Sequence, residues 1–477
     1  MQNIWNSGSS NDTEKSPGQQ PSESVLVTVT NRRMQSRFAT SPLIIIYFFV
    51  AIICMGTTLL LLPLSSNIEG SPPFTVALFT ATSAITVTGL VVQETAFYWT
   101  RVGQAMIMGM IFVGGLGFMT IATFLLIILG QRVTLTQRLL MRENLMLDQF
   151  GNLVRLTVAI VVVATGIQLF GFIVLFTYFY LFIYPLGEAI WQAAFHAVSA
   201  FNNAGFIAFN HPSGLAVFQT DKFVIGVIGT LIFVGGISYL VVIDLFRAKR
   251  FSRFALNTKL VIVGTMSLLF LGFAAIFVLE FDNPDTIGNL PLLDKITVSI
   301  FQSISDRTAG FGIVDISRAH DGTNVLQMAL MFIGGASASV AGGIKVNTMA
   351  VVFMALVAQI RQRNKVAAFG RELPDRQVQR AYLILSVSAA FVFLVVMLLS
   401  ITEDGADTLA VIFEAVSAFG TCGLSLGITS ALSPLGQLII AMTMFIGKLG
   451  PLMIGVTMSQ STENDLYRYA QERVTIG

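Results

Sequence analysis

Charge is what this sequence has least of. Only 11% of its 477 residues are charged, while 54% are hydrophobic; a soluble globular chain carries about 25% charged residues. That shortage excludes an ordinary soluble domain and makes the chain an all-α polytopic membrane protein, in contact with membrane lipid. The net charge of +2 is too small a surplus to attract nucleic acid, so no such partner is expected. Cysteine is nearly absent. Cys54 and Cys422 are the only two, and they fall in different apolar segments, so no disulfide framework is implied and both read as small packing residues. No metal-ligand spacing and no acid–base pair is found, which argues against an enzyme. Residues 1–40 lack an apolar core followed by a small-residue cleavage site, so no signal peptide is expected. They are polar (SGSSNDTEKSPGQQPSES) and read as a disordered cytoplasmic tail.

Long apolar runs are what the chain does have. A spanning helix needs about 20 mainly apolar residues, and eight candidate spans lie near 43–64, 104–130, 156–183, 222–246, 258–281, 325–359, 381–401 and 435–458. A shorter, semi-apolar stretch separates the members of each successive pair of spans, too short to cross and therefore read as re-entrant. Lys and Arg collect in the tail, in 131–155, in 246–260 and in 360–381. By the positive-inside rule both termini are then cytoplasmic and every re-entrant stretch enters from outside. The outer segments carry acids: Glu280, Asp282, Asp285, Asp294, Glu403, Asp404 and Asp407. Two readings stand for these, a vestibule that concentrates cations and ordinary solvated loop charge.

The four re-entrant stretches resemble one another: FTATSAITVTGL (79–90), FHAVSAFNNAGF (195–206), FQSISDRTAGF (301–311) and FEAVSAFGTCGL (413–424). Each opens with Phe and ends with Gly plus an apolar residue. Ser83, Ser199 and Ser417 precede that glycine by six residues, while Ser305 is one residue closer. A second motif follows each: FVGGLG (112–117), FVGGIS (233–238), FIGGAS (332–337) and FIGKLG (445–450). The unit is helix, pore helix, glycine turn, helix, copied four times at a spacing of a little over 100 residues, far longer than a solenoid repeat. The expected organisation is a tail at 1–40 followed by repeats at 41–135, 136–255, 256–365 and 366–477.

Irregular backbone at membrane depth is tolerated only where it is buried in protein or lines a watery cavity. Four such breaks suggest a shared axis, where backbone carbonyls replace the water shell of a potassium ion. Glycine permits the positive φ that turns carbonyls inward, and helix C-termini aimed at the ion add partial negative charge. The candidate filter residues are Thr86, Val87, Thr88 and Gly89; Asn202, Asn203, Ala204 and Gly205; Arg307, Thr308, Ala309 and Gly310; and Thr421, Cys422 and Gly423. The competing reading is that the glycines only let helices pack closely.

The sixth span is too long. Its 35 or so residues would make a straight helix of ~52 Å across a core of about 30 Å. Its middle, GGASASVAGGIK, is small residues up to Lys345 apart from Val340 and Ile344, and reads as low in helix propensity. It reads as an intramembrane gating loop, 336–345, below the filter, with Gly334, Gly335, Ala336, Ser337, Ala338, Ser339, Gly342, Gly343 and Lys345 as candidate gating residues. A kinked helix with Lys345 snorkelling is the alternative. Lys448 replaces the second glycine of the FxGG pattern about 13 residues into its span, ~20 Å deep. A charge there is costly and faces protein or water; it is expected to form an electrostatic barrier engaged with the loop. Asp306 and Arg307 read first as a salt bridge behind the filter and second as direct ion contact by Asp306. His196 and Glu414 share one repeat position and are expected to anchor pore helices by hydrogen bonds.

VSAFNNAGF, DRTAGF, ASASVAGGIK (336–345), FIGKLGP (445–451) and the terminal ERVTIG together resemble the Trk/Ktr/HKT family of potassium transport proteins, most closely its KtrB branch, the membrane subunits of bacterial Ktr systems. The resemblance covers nearly everything from about residue 40. It implies four helix–pore loop–helix repeats, eight transmembrane helices, around one central pore. It also implies the bacterial cell membrane, a homodimer, and a cytoplasmic KtrA-type ring that binds the nucleotide this chain does not. Transported K+, stimulation by Na+, and a first-repeat filter glycine at Gly89 linked with potassium selectivity follow from it as well. Lys448 departs from the Arg usual there, keeping the charge but losing the planar fork. An alternating-access cation symporter is the competing function. Each repeat holds two spans, an even number, so all copies share one orientation, which favours a pore.

Overall fold

The computed structural model describes residues 43–117, 120, 153–248, 250–363 and 365–460. The expected tail at 1–40, most of the loop 131–155 and the terminal ERVTIG lie outside them. The described chain is almost wholly helical: α1 (Leu43–Leu60), α2 (Phe74–Thr86), α3 (Arg101–Leu116), α4 (Leu153–Phe182), α5 (Leu186–Phe201), α6 (Lys222–Gly236), α7 (Tyr239–Ala248), α8 (Leu256–Leu279), α9 (Leu292–Ser305), α10 (Asp321–Phe332), α11 (Val346–Ile360), α12 (Asp375–Thr402), α13 (Thr408–Gly420) and α14 (Pro434–Gln460). One two-residue hairpin, Ala367–Ala368 with Arg371–Glu372, is the only sheet among the described residues.

Among the described residues three helices are long and apolar enough to cross a membrane, Thr157–Phe182, α8 and α12, and the bent pair α6–α7 makes a fourth if counted as one span. Helices α2, α5, α9 and α13 hold the four re-entrant stretches. At 13–16 residues they are about 20–24 Å long, shorter than the ~30 Å hydrocarbon core. Their starts are set locally. Pro73, Pro185 and Pro291 precede three of them in extended conformation and have no N–H to leave unpaired. Asp407 caps the fourth by accepting from Ala410 N at 3.1 Å, a carboxylate at the positive end of the helix. The opening Phe of each copy, Phe79, Phe195, Phe301 and Phe413, is at most 2% exposed, a burial of about 1.5–3 kcal/mol apiece.

Each short helix packs against the opening helix of its own repeat and against the closing helix of the repeat before it. The cross-repeat pairs are α3 with α5, α6 with α9, α10 with α13, and α14 with α2. The last of these closes a circle.

Two expected spans differ from straight helices. The span at 104–130 ends its described helix at Leu116, where Gly117 takes φ +76°. The span at 222–246 is broken at Ile237–Ser238, and its halves bend by 93°. The break follows the Gly235–Gly236 pair, weak helix formers, and its freed donor is taken from afar: Tyr239 N donates to Ala338 O at 3.1 Å. Ser238 Oγ accepts from Leu240 N at 3.3 Å and restarts the helix.

In three of the four copies the first glycine of the FxGG motif is a spacer against a short helix. A Cβ at Gly114, Gly235 or Gly447 would stand 2.0, 1.8 or 2.1 Å from the carbonyl oxygen of Ile85, Phe201 or Phe419, the last turn of a short helix. We therefore expect Gly235→Ala to destabilise the fold by on the order of 3 kcal/mol, read as a fall in melting temperature and membrane yield. Gly226→Ala on the same helix has nothing within 4 Å of the added carbon and should be neutral or slightly stabilising.

Candidate functional site

The four short helices end in one way. Val87, Asn203, Thr308 and Thr421 stand at φ +57°, +54°, +68° and +49°, and two residues later Gly89, Gly205, Gly310 and Gly423 stand at +95°, +68°, +73° and +96°. In the first copy Val87 N donates to Ala84 O (3.3 Å) and Thr88 N to Ser83 O (2.8 Å). In the second Asn203 N donates to Ala200 O (3.0 Å) and Ala204 N to Ser199 O (2.8 Å), and in the fourth Thr421 N to Ala418 O (3.1 Å) and Cys422 N to Ser417 O (2.9 Å). This bond pair is the Schellman termination, which normally places glycine at the left-handed position. Here that position holds β-branched Val or Thr in three copies, each costing of order 1–3 kcal/mol. The glycine comes two residues late because it is needed elsewhere.

That need is mutual approach. A Cβ on Gly89 would lie 2.5 Å from Ala204 O; on Gly205, 2.9 Å from Ala309 O; on Gly310, 2.3 Å from Cys422 O; and on Gly423, 2.1 Å from Thr88 O. Each glycine thus makes room for the carbonyl that precedes the next glycine, and the sequence 89, 205, 310, 423 returns to 89. The repeated serines tie helix to turn. Ser83 and Ser417 Oγ accept from Gly89 N (3.0 Å) and Gly423 N (3.1 Å), while Ser199 and Ser305 Oγ donate to Phe206 O and Phe311 O, both at 2.8 Å. The third copy absorbs its missing residue locally, with Ala309 N donating to Ser305 O at 3.0 Å.

Of the candidate filter residues, Val87, Thr88, Gly89, Asn203, Ala204, Gly205, Thr308, Ala309, Gly310, Thr421, Cys422 and Gly423 line this ring of turns. Thr86, Asn202 and Arg307 sit at the helix ends behind it. Thr86 Oγ1 lies 2.7 Å from Thr88 Oγ1, and Asn202 Nδ2 donates to Val198 O at 2.8 Å. Arg307 does not pair with Asp306. Its Nη2 donates to Gly334 O at 3.2 Å, while Asp306 Oδ1 accepts from Gln302 and Gln327 Nε2 at 2.8 and 3.3 Å. A carbonyl at the foot of the neighbouring loop outcompetes the adjacent carboxylate because consecutive side chains on a helical turn point apart.

The helix of the sixth expected span stops at Phe332 and resumes at Val346, leaving a loop of small residues at 333–345. Gly334 N donates to Ile344 O (2.9 Å) and Val346 N to Gly335 O (3.0 Å), which pinches the loop's base. Ser337 Oγ donates to Asn347 Oδ1 at 2.8 Å, and Ser339 Oγ to Ala336 O at 2.7 Å. The loop lies against the turns: a Cβ on Gly342 would meet Thr421 Oγ1 at 2.0 Å, and one on Gly343, itself at φ +63°, would meet Gly420 Cα at 3.2 Å. Cations hold its carbonyls. Lys448 Nζ donates to Val340 O at 2.5 Å, Lys345 Nζ donates to Ala341 O, and Arg307 holds Gly334.

His196 and Glu414 brace the return strands. His196 Nε2 accepts from Ala208 N at 3.2 Å, with its ring stacked on Phe209; Glu414 accepts from Ser425 Oγ at 2.7 Å and Thr429 Oγ1 at 2.5 Å. Several acids of the supposed vestibule carry structural duties. Asp294 pairs with Lys222 at 3.0 Å, Glu403 accepts from Ser433 N and Oγ, and Asp407 caps α13. Glu280, just past α8, accepts from Asn283 Nδ2 (2.6 Å), Thr286 Oγ1 (2.8 Å), His320 N (2.9 Å) and Thr323 Oγ1. Burial alone would push its carboxyl above the usual 4.5, but these four hydrogen bonds outweigh it and hold the group below that value. Its contribution to stability is therefore complete above pH 4.5 and is lost as pH falls through the lowered value. Limited proteolysis of the 281–320 segment should be slow at neutral pH and accelerate in acid, and Glu280→Gln should flatten that dependence.

The described residues contain no cluster of three or more His, Cys, Asp or Glu that could hold a metal ion. The family model described as TrkH, a cation transport protein, matches residues 20–468. The chain belongs to the TrkH family of cation transport proteins. Within that family it is 38% identical to the Ktr system potassium uptake protein B of Bacillus subtilis over 441 residues, covering 92% of this chain and 97% of that one. It is 37% identical to the protein of the same name from Vibrio alginolyticus, covering 91% and 95%. To the potassium/sodium uptake protein NtpJ of Enterococcus hirae it is 33% identical, covering 94% and 100%. The solved potassium transporter TrkH from Vibrio parahaemolyticus shares the fold, with a TM-score of 0.69 over 91% of this chain and 86% of that one, at 17% identity.

Proposed function

We propose that this TrkH family member is the potassium-translocating membrane subunit of a bacterial uptake system, and that it conducts like a channel. The observation that carries the reading is the closed ring of four glycine turns, each opening space for a neighbour's carbonyl. Carbonyl oxygens set around one axis replace an ion's hydration shell, and four helix C-termini aimed at that axis add negative potential. The names of the related potassium uptake proteins point to the same ion. Eight spans cross the bacterial cell membrane in this reading, with both termini cytoplasmic. The loop at 333–345, clamped by Lys448 and Lys345, obstructs the path below the turns until a cytoplasmic nucleotide-binding ring on a homodimer of this chain releases it. Sodium stimulates transport.

The test is potassium-limited growth and 86Rb+ uptake in a bacterium lacking its own uptake systems, with this chain alone, with a KtrA-type partner, and with or without sodium. Growth rescue at low potassium supports the reading. No rescue by the chain or by the pair, with the protein present in the membrane, overturns it.

A further inference from the structure

Helix α6 stops short of a full crossing. Its 15 residues rise ~22 Å, about 8 Å less than a hydrocarbon core of ~30 Å. The 93° bend then sends α7 sideways. In the eight-span reading above, on which this inference rests, α7 runs along the cytoplasmic leaflet at the depth of about 5–10 Å that an interfacial helix occupies. Its side chains suit that depth. Phe246 is 81% exposed, Ile243 and Leu245 are exposed beside it, and Arg247 ends the same helix. The chain then turns back: Ala255 N donates to Asp244 Oδ2 at 3.0 Å, and the turn Phe251–Arg253 feeds into α8. The hairpin between α11 and α12 leans on that turn. Phe369 and Phe251 meet edge to face at 5.9 Å, and Lys259 Nζ lies 5.9 and 5.6 Å from their ring centres while donating to Ser252 O at 3.1 Å. Phe369 is held there at a cost. It and Gly370 form a two-residue loop with φ +51° and +77°, positive at both positions, which disfavours an aromatic residue. The contact brings Arg250 and Arg253, beside Phe251, onto one exposed patch with Arg371, two residues beyond Phe369.

The patch has a surplus of one sign. Among the described residues, 239–260 and 360–380 carry ten Lys and Arg against three acids. Asp244 is spent on Ala255 N, Glu372 pairs with Lys365 at 2.5 Å, and Asp375 stands in the first turn of α12. Arg247, Arg250, Arg253 and Arg371 have no acidic side chain in ion-pair range among the described residues. Unpaired cations next to exposed apolar side chains call for a ligand that is anionic at one end and apolar at the other. We propose that α7, the Phe251–Arg253 turn and the hairpin tip form a docking site for an anionic phospholipid of the cytoplasmic leaflet. Its phosphate lies among Arg250, Arg253 and Arg371, and its chains lie along Ile243 and Phe246. A soluble acidic protein would answer the arginines but has no use for Phe246 at membrane depth, which favours the lipid. The site reaches the loop at 333–345. Tyr239 N, at the start of α7, donates to Ala338 O at 3.1 Å, so a lipid that seats α7 also steadies a loop carbonyl that Lys448 does not hold.

The test is thermal unfolding of the purified full-length protein in a non-ionic detergent, at fixed potassium and ionic strength, with dioleoylphosphatidylglycerol or dioleoylphosphatidylcholine added. Phosphatidylglycerol is expected to raise the wild-type midpoint by about 2 °C over phosphatidylcholine. The triple variant Arg250→Gln, Arg253→Gln, Arg371→Gln changes only exposed side chains and should lose most of that increment. No increment in the wild type, or an equal one in the triple variant, overturns the site. So does an equal increment from inorganic phosphate, which marks a free-anion site, or from polyglutamate, which marks a surface for an acidic protein. If the triple variant does not fold, native mass spectrometry of the wild type and Arg253→Gln decides. Preferential retention of phosphatidylglycerol that falls about fivefold in the variant supports the site, and equal retention overturns it. No transported ion is measured, so failure here leaves the potassium reading standing, and a chain that binds the lipid without restoring growth fails the potassium reading alone.

Discussion

Gly89→Ala is expected to reduce potassium-supported growth and 86Rb+ uptake by more than tenfold, and Gly89→Ser to admit sodium alongside the residual potassium flux. Two penalties combine at this position. The residue sits at φ +95°, a backbone conformation that costs any L side chain of order 1–2 kcal/mol. The added carbon would also stand 2.5 Å from Ala204 O and 3.0 Å from Gly205 Cα, both backbone atoms that cannot swing aside as a side chain would. The second copy must then move, and Gly205 leans in turn on Ala309 O, so the disturbance passes round the ring. Gly70→Ala separates the two penalties: Gly70 has φ +91° but nothing within 4 Å of an added carbon. That variant should lose a little stability and no selectivity. Equal loss of uptake in both would show that conformational strain, and not the ring, is responsible. Uptake ratios of rubidium to sodium, measured in the same cells, check the serine variant.

The second large effect is expected at Lys448. Its Nζ holds Val340 O at 2.5 Å. A hydrogen bond to a charged donor is worth about 1.5–3 kcal/mol, so Lys448→Ala should shift the balance between seated and displaced loop by roughly 10–100-fold toward displaced. The observable is a higher basal 86Rb+ uptake in the absence of any cytoplasmic partner, with less further stimulation when the partner is supplied. Lys448→Arg retains the charge and should stay close to wild type. Basal uptake that is unchanged in Lys448→Ala would remove this side chain from gating. The loop has a second brace in Lys345 on Ala341 O, so the double substitution should exceed either single one.

Much of this arrangement was legible in the one-dimensional pattern because its causes are local. A length too short to cross, and a glycine six residues after serine in three copies and five in the third, announce a helix that breaks. The small-residue run at 336–343 announced the loop in the same way, since the Gly342–Gly343 pair and the serines are weaker helix formers than its alanines and little side-chain bulk holds it in place. The exceptions depend on distant atoms. The bend between Gly236 and Tyr239 needs the carbonyl of Ala338, some hundred residues away in sequence. Arg307 reads from sequence as a partner for its neighbour Asp306, but the carbonyl of Gly334 becomes available only once the loop folds against α9. The left-handed residues Val87, Thr308 and Thr421 were hidden because attention falls on glycine. Their signal, one position recurring two residues ahead of each glycine, lay in the repeat alignment. The acids around Glu280 were ambiguous for a related reason: charge alone does not distinguish a carboxylate facing water from one that knots two loops together.

Among the described residues the loop at 333–345 belongs to the third repeat, and Lys448 stands where the other three copies have Gly115, Gly236 and Gly335. A homotetramer of one short subunit would have to carry every feature four times, and in the proposed function four such loops would compete for one axis. Joining four copies in a single gene removes that constraint. Each copy keeps the glycine its neighbour's backbone requires, while one copy carries the loop and another the lysine that holds the loop's Val340 carbonyl. The fused chain thus has the division of labour of a hetero-oligomer without the problem of assembling unlike subunits in the right order around the ring.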